Sequence, residues 1–236
     1  MYVYGGHEYN LGIFSDFHKI NVSNSATTYN WVEIPKPKKL DESPSLQVIP
    51  VAYPGPRARH TAIVHDDKMY LYGGLKNSTE NTSEFWAFDF KEQTWSPVES
   101  AADSALPPSL DSHSADLWIP EDNNAMMIVF GGFIGGERGE LSNHVLSFNF
   151  ASQRWETLWE NQALQKEEQA PSFPAQRMCH GSCIHENKLY IFGGADEDSK
   201  FGDLWCFDLT AKTWQLLSAE GESPEVTLPL IFGLSD

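Results

Sequence analysis

Three groups of residues have types and spacings that invite a chemical reading. Cys179-x3-Cys183, interleaved with His180 and His185, has the composition of a metal cluster. On a strand, however, positions four apart sit about 13 Å from each other at a rise of about 3.3 Å per residue, too far to share a zinc ion or a disulfide. Together with Cys206 these thiols are expected as one cluster of small buried side chains. His60, His113 and His180 each close a Pro-x-x-Arg/Leu-x-x-His pattern that begins at Pro54, Pro107 and Pro174. Three histidines converging on an axis have the chemistry to hold a metal, but a position that recurs with its neighbours is expected to serve a recurring hydrogen bond to a backbone group. Arg57, Arg59 and Arg177 form the third group. Their planar forks suit a carboxylate or phosphate on a partner, and the competing use is an ion pair with an acid of a neighbouring unit. Arg138, within GGERGE, is a weaker addition because glutamates flank it. The chain has no Gly-x-Ser-x-Gly elbow, His-Glu-x-x-His or paired Cys-x-x-Cys, and no glycine run is followed by the Lys-Ser/Thr of a phosphate loop. No catalytic residue, metal or cofactor is therefore expected.

The bulk composition narrows the partners. Across 236 residues, 16 Lys plus Arg stand against 33 Asp plus Glu, a formal charge of −17. Such a charge repels phosphate backbones and anionic headgroups, so neither nucleic acid nor membrane is expected as a partner. A hydrophobic content of 41% supports a packed core, and no apolar run reaches the length of a spanning helix. The opening MYVYGGHEYN has neither the basic start nor the apolar stretch of a secretory signal, and three unmatched cysteines do not form a disulfide framework. A cytoplasmic location is the expectation, and the glycosylation patterns at Asn21, Asn77 and Asn81 are expected to go unused.

The elements that must hold these side chains are repeated. Short apolar runs end in paired glycines four times: MYVYGG to Gly5-Gly6, MYLYGG to Gly73-Gly74, MIVFGG to Gly131-Gly132 and LYIFGG to Gly193-Gly194. A second apolar run follows each, with Ile20, Phe88, Phe148 and Phe207 in register. Trp95, Trp155 and Trp214 then stand seven positions after their phenylalanines, and Trp31 stands eleven after Ile20. The Pro-x-x-Arg-x-x-His element precedes the glycine runs. Each unit thus has four segments: a (after the histidine), b (ending in Gly-Gly), c (the aromatic run) and d (around the tryptophan). Their length, their β-branched and aromatic content and the turn formers between them predict strands. The glycines are read as sites of unusual backbone angle or close approach by a large neighbour, a tryptophan.

Four-stranded units recurring at about 50 residues with a Gly-Gly and a tryptophan resemble the kelch repeat family. The resemblance implies an all-β fold, a kelch-type β-propeller built of four-stranded antiparallel blades. Strands b to d of a first blade would occupy 1–35, and further blades about 54–98, 107–159 and 174–218. Pro224-x-x-Thr227-x-x-Leu230 keeps the spacing of a strand-a motif without its arginine and histidine, so an extra strand a is expected at about 225–233. Two arrangements fit. In one, that strand completes the first blade and closes a four-bladed ring. In the other, favoured because kelch rings generally carry more blades, the chain is part of a larger propeller with further kelch units or accessory domains outside it. In either case the b–c and d–a connections leave one face, including residues 36–56, 99–112 and 159–176. They are longer than the turns opposite, which places the partner site among them. The resemblance implies a noncatalytic protein-interaction module, a scaffold or adaptor. The alternatives are a ubiquitin-ligase substrate-recognition subunit that binds acidic peptides, with arginines near the central mouth, and a metal-dependent enzyme.

Overall fold

The computed structural model describes residues 1–22, 29–36, 52–135, 139–161 and 172–219. Arg138 and the expected strand at 225–233 lie outside these residues, as do the larger parts of the 36–56 and 159–176 connections. Everything described is strand, turn or loop. The first sheet holds β1 (Tyr2–Glu8), β2 (Gly12–Ile20) and β3 (Trp31–Glu33), in that order. The second is β4 (Thr61–His65), β5 (Lys68–Tyr72), β6 (Phe85–Asp89) and β7 (Thr94–Pro97). In the third, β8 (Leu110–Asp111) precedes β9 (Ser114–Trp118) and β10 (Met126–Phe130). There β11 (Phe133–Ile134) and β12 (Glu140–Leu141) lie between β10 and β13 (Val145–Asn149), and β14 (Arg154–Trp159) ends the unit. β9, β10, β13 and β14 form the third large sheet, while β8, β11 and β12 form a small separate one. The fourth is β15 (Gly181–His185), β16 (Lys188–Phe192), β17 (Leu204–Asp208) and β18 (Thr213–Ser218). Every pairing is antiparallel, and strands a to d follow one another across the second, third and fourth sheets, b to d across the first.

The turns account for the strand spacing. Asp66 and Asp67 both take positive φ in the β4–β5 hairpin, the twist that a two-residue loop needs. At the c–d turns the last residue of strand c caps the loop. The Asp89 carboxylate accepts from Lys91 and Glu92 N–H at 2.9 Å, and Asp208 does the same for Thr210 and Ala211.

Strands read as continuous apolar runs because both faces of an inner sheet are covered. Leu71 and Tyr72 are adjacent and both buried, one turned to each neighbouring sheet. Tyr4 and Phe17 of the first sheet meet Met69, Leu71, Phe88 and Trp95 of the second. Ile63, Tyr72 and Phe85 of the second meet Met127, Val129, Phe148 and Trp155 of the third. Ile128, Phe130 and Val145 of the third meet Leu189, Ile191, Phe207 and Trp214 of the fourth. Each fully buried aromatic stabilises the stack by on the order of 3 kcal/mol. Inner strands touch in series, β4 to β9 to β15, and no pairing joins the first sheet to the fourth among the described residues.

The paired glycines serve these junctions, and tryptophan is not what they admit. A Cβ on Gly73 (φ +68°) would stand 2.5 Å from the Leu110 carbonyl oxygen and 2.8 Å from the His113 ring, both in the next unit. One on Gly74 (φ +91°) would stand 2.7 Å from the Ala58 carbonyl oxygen and from Cβ of His60, in its own unit. Gly5 and Gly131 repeat the first role against Arg57 and Arg177, and Gly132 and Gly194 repeat the second. The close neighbours are therefore backbone carbonyls and histidines. The second glycine of a pair also donates its N–H across the junction, from Gly6 to Arg57, Gly74 to Leu110 and Gly132 to Arg177.

Candidate partner-binding face

Each b–c loop folds back beside the segment that leads into strand a. Ala58 pairs with Leu75 and Leu75 with Asn81; Met178 pairs with Ala195 and Ala195 with Lys200. The small β8–β11–β12 sheet is the third unit's version of the same arm. The segments before strand a and the b–c loops therefore share one face, as the alternation of strand direction requires.

At the centre of that face, the residue before each histidine is left-handed: Arg59 (φ 55°), Ser112 (φ 56°) and Cys179 (φ 57°). Ser112 N–H donates to the Arg59 carbonyl at 2.9 Å, and Cys179 N–H to the Ser112 carbonyl at 3.0 Å, which links the three units around the mouth. Arg59 is 55% exposed at its side chain and lies 3.9 Å from Asp111. Asp111 is buried, receiving Ser112 Oγ at 2.8 Å and Asn81 Nδ2 at 3.3 Å. A contact that long and that exposed leaves the guanidinium fork available. Beside it opens a cleft of about 450 Å³ lined by Arg59, Leu75, Thr79, Asn81, Phe133 and Met178, drawn from three successive units.

Arg57 and Arg177 are placed differently from the expectation that they greet a partner. Both side chains have no exposure. Arg57 donates to Glu84 at 2.6 Å and to the Pro54 carbonyl at 2.5 Å. Arg177 makes a bidentate pair with Asp203 at 2.6 and 2.9 Å, reaches the Gly193 carbonyl at 2.9 Å and lies over the Phe201 ring. These acids stand immediately before strand c of the same unit, not of a neighbouring one. A tryptophan completes each set, Trp86 Nε1 donating to Glu84 and Trp205 Nε1 to Asp203. Burial acts to raise Glu84, but hydrogen bonds from Lys76, Trp86 and Arg57 outweigh it and hold the carboxyl down at about 2. Asp203 is lowered in the same way, burial opposing and Arg177 and Trp205 prevailing. The third unit has Leu110 for the arginine, His144 for the acid and Leu146 for the tryptophan, so the set is replaced as a whole.

His113 and His180 make a recurring bond to a side chain of the preceding unit, where a backbone group was expected, and at His180 the Phe130 backbone adds to it. His113 Nε2 meets Thr61 Oγ1 at 2.8 Å, and His180 Nε2 meets Ser114 Oγ at 2.9 Å, each hydroxyl opening the preceding strand a. The preceding strand b adds an aromatic contact, Tyr4 to His60, Tyr72 to His113 and Phe130 to His180. Burial lowers all three, with charge from Arg57 added at His60, from His180 and His60 at His113, and from Arg177 at His180. His60 falls to about 4 and His113 and His180 to about 3.

The cysteines do not cluster. Cys206 is buried, while Cys179 and Cys183 are exposed. Cys183 and Cys206 are separated by Tyr190, which pairs with both. Among the cleft residues, Asn81, Asp111 and Phe133 fall within the connections expected to carry the partner site, though none was singled out there for it, and Met178 lies outside them. Asn81 stood out only within a glycosylation pattern, yet its amide ties the second unit's arm to the third through Ser109, Asp111 and Phe133. Asn77 caps its own loop, accepting from Thr79 and Glu80 N–H.

Antiparallel four-stranded sheets stacked face to face, with a glycine pair and a strand-d tryptophan at each junction, define a kelch-type β-propeller architecture. Residues 1–169 match the family model described as Attractin/LZTR1 beta-propeller, and residues 176–219 match the Kelch motif. The chain belongs to the attractin/LZTR1 β-propeller family. It is 27% identical over 171 residues to the leucine-zipper-like transcriptional regulator 1 homolog of Drosophila melanogaster, covering 72% of this chain and 16% of that protein. It is 26% identical over 226 residues to the dynein alpha chain of the flagellar outer arm of Chlamydomonas reinhardtii, covering 92% of this chain and 4% of that one. Human host cell factor 2 is 28% identical over 171 residues, covering 66% of this chain and 19% of its own length. The chain thus spans a small part of each of these relatives.

Proposed function

We propose that this chain is a noncatalytic protein-interaction module, a scaffold or adaptor, that receives its partner on the face formed by the b–c loops and the segments before strand a. The observation that carries the reading is the cleft of about 450 Å³ at the mouth, bordered by the exposed Arg59 and built from three units at once. Its walls combine apolar Leu75, Phe133 and Met178 with polar Thr79 and Asn81, the mixture that anchors one side chain of a bound protein while fixing its direction. An acidic partner residue would approach Arg59, with Arg57 and Arg177 serving the fold behind it. The family match and the recurrence of this segment inside relatives with unrelated names support a portable binding module. A ubiquitin-ligase substrate-recognition role would use the same face. Selection of displayed peptides on the purified chain tests the assignment. Selected binders should lose affinity at least tenfold in R59E and F133A, and keep it when the Asp66–Asp67 and Lys91–Glu92 turns opposite are changed to Asn and Gln. The reverse pattern would move the site to the other face.

A further inference from the structure

The cleft at the mouth is close to neutral in spite of its arginine. Arg59 and Asp111 are the charged members of its described lining, one of each sign and 3.9 Å apart. An anion that entered would meet the buried carboxylate as well as the guanidinium, so charge favours it little. A neutral occupant is not penalised by the pairing.

Three side chains supply the apolar part of the lining. Leu75 and Phe133 hold equivalent places, each directly after a Gly-Gly pair, in the second and third units, and Met178 comes from the fourth. All three are only partly buried, unlike the residues of the sheet junctions. Their positions are fixed through backbone: Leu75 pairs with Ala58 and Asn81, Phe133 with Asp111 and Leu141, and Met178 with Ala195. The apolar surface is therefore held in place before any partner arrives, which lowers the cost of binding.

A thioether, a phenyl ring and the flat face of a guanidinium share one preferred ligand, an aromatic ring. The guanidinium keeps this capacity beside Asp111, because the acid approaches Nη1 and the side chain stays 55% exposed. The same pairing exists inside the fourth unit, where Arg177 Cζ lies 4.3 Å over the Phe201 ring. Ser78 and Thr79 of the lining, both exposed, add hydroxyls that a phenol can meet.

We propose that the partner residue seated in this cleft is aromatic, with tyrosine the best fit. Its ring lies against Arg59, Phe133 and Met178, and its hydroxyl turns toward Ser78 and Thr79. The inference rests on the reading of this face as the binding face and narrows the occupant to a flat side chain. An acid on the partner keeps to the N–H edge of Arg59 while the ring covers its face.

Two measurements on the 236-residue chain test this. With isotope-labelled methionine methyl groups, N-acetyltyrosinamide at about 20 mM should move the Met178 signal upfield through its ring current, and N-acetylleucinamide should not. The signal is assigned by its loss in M178L. In displayed peptides selected on the chain, one Tyr, Phe or Trp should recur. Changing it to Leu should weaken binding about tenfold, and R59K should weaken it about fivefold although lysine keeps the charge. Selected peptides that share an acid but no aromatic would overturn the proposal, as would equal binding to R59K or a Met178 signal that N-acetyltyrosinamide leaves unmoved. R59E and F133A judge the face separately. If they abolish binding while the aromatic is dispensable, the face stands and the aromatic occupant falls; if they leave binding intact, both fall.

Discussion

His60, His113 and His180 show how a side chain able to bind metal becomes a fastener. His113 is buried and His60 and His180 partly so against the preceding unit, so the neutral ring is favoured and the folded pKa lies below the roughly 6.5 of an unfolded chain. Their contribution to stability is complete above about pH 6.5 and is lost as pH falls toward the folded values of about 3 to 4. Their imidazole proton shifts, followed by NMR, should stay constant from pH 8 to 5, and a midpoint between 6 and 7 would contradict the burial. The buried ion pair makes a second prediction. R177L should cost about 3 kcal/mol in urea unfolding because Asp203 keeps a largely buried charge without its partner. R177L/D203H, which installs the combination found at Leu110 and His144, should cost less than R177L alone. The histidine and arginine positions were legible as a repeat in the sequence. Their partners were not, because the hydroxyls of Thr61 and Ser114 and the acids Glu84 and Asp203 lie far along the chain and carry no signature of their own.

At the scale of the element, the glycine pair is where strand b meets two other segments at once. G131A should destabilise by roughly 3 kcal/mol or more, since it adds a Cβ at positive φ within 2.8 Å of the Arg177 carbonyl oxygen and the His180 ring. G193A has the same φ, but the nearest atom is the Phe201 carbonyl oxygen at 3.2 Å, so only the conformational cost of about 1–2 kcal/mol is expected. Paired denaturation curves would separate strain from collision. Strand identity and order were readable from the hexamers and the tryptophan spacing. The short arms of the b–c loops were not, because β8, β11 and β12 are two residues each and their pairing depends on where the neighbouring unit lies. The cleft is made of those arms, which is why Asn81 and Phe133 escaped notice while Arg57 and Arg177 attracted it.

For the whole molecule, the charge of −17 acts on a stack held by apolar junctions. Like charges spread over 26.5 kDa repel one another, and salt screens that repulsion. The melting temperature should therefore rise by several degrees from about 20 to about 300 mM NaCl, which shortens the screening length from about 20 Å to under 6 Å. A fall would mean that attractive pairs such as Arg154–Asp103 outweigh the net charge. The mouth has a different consequence. Its three left-handed residues are joined through N–H and carbonyl groups alone, so Arg59, Ser112 and Cys179 contribute to this link between three units whatever side chains they carry. β-Branched residues are the exception, since they resist positive φ. Related chains can thus exchange the chemistry at the centre of this face with little loss of stability, and the surface that meets a partner is free to diversify faster than the sheets beneath it.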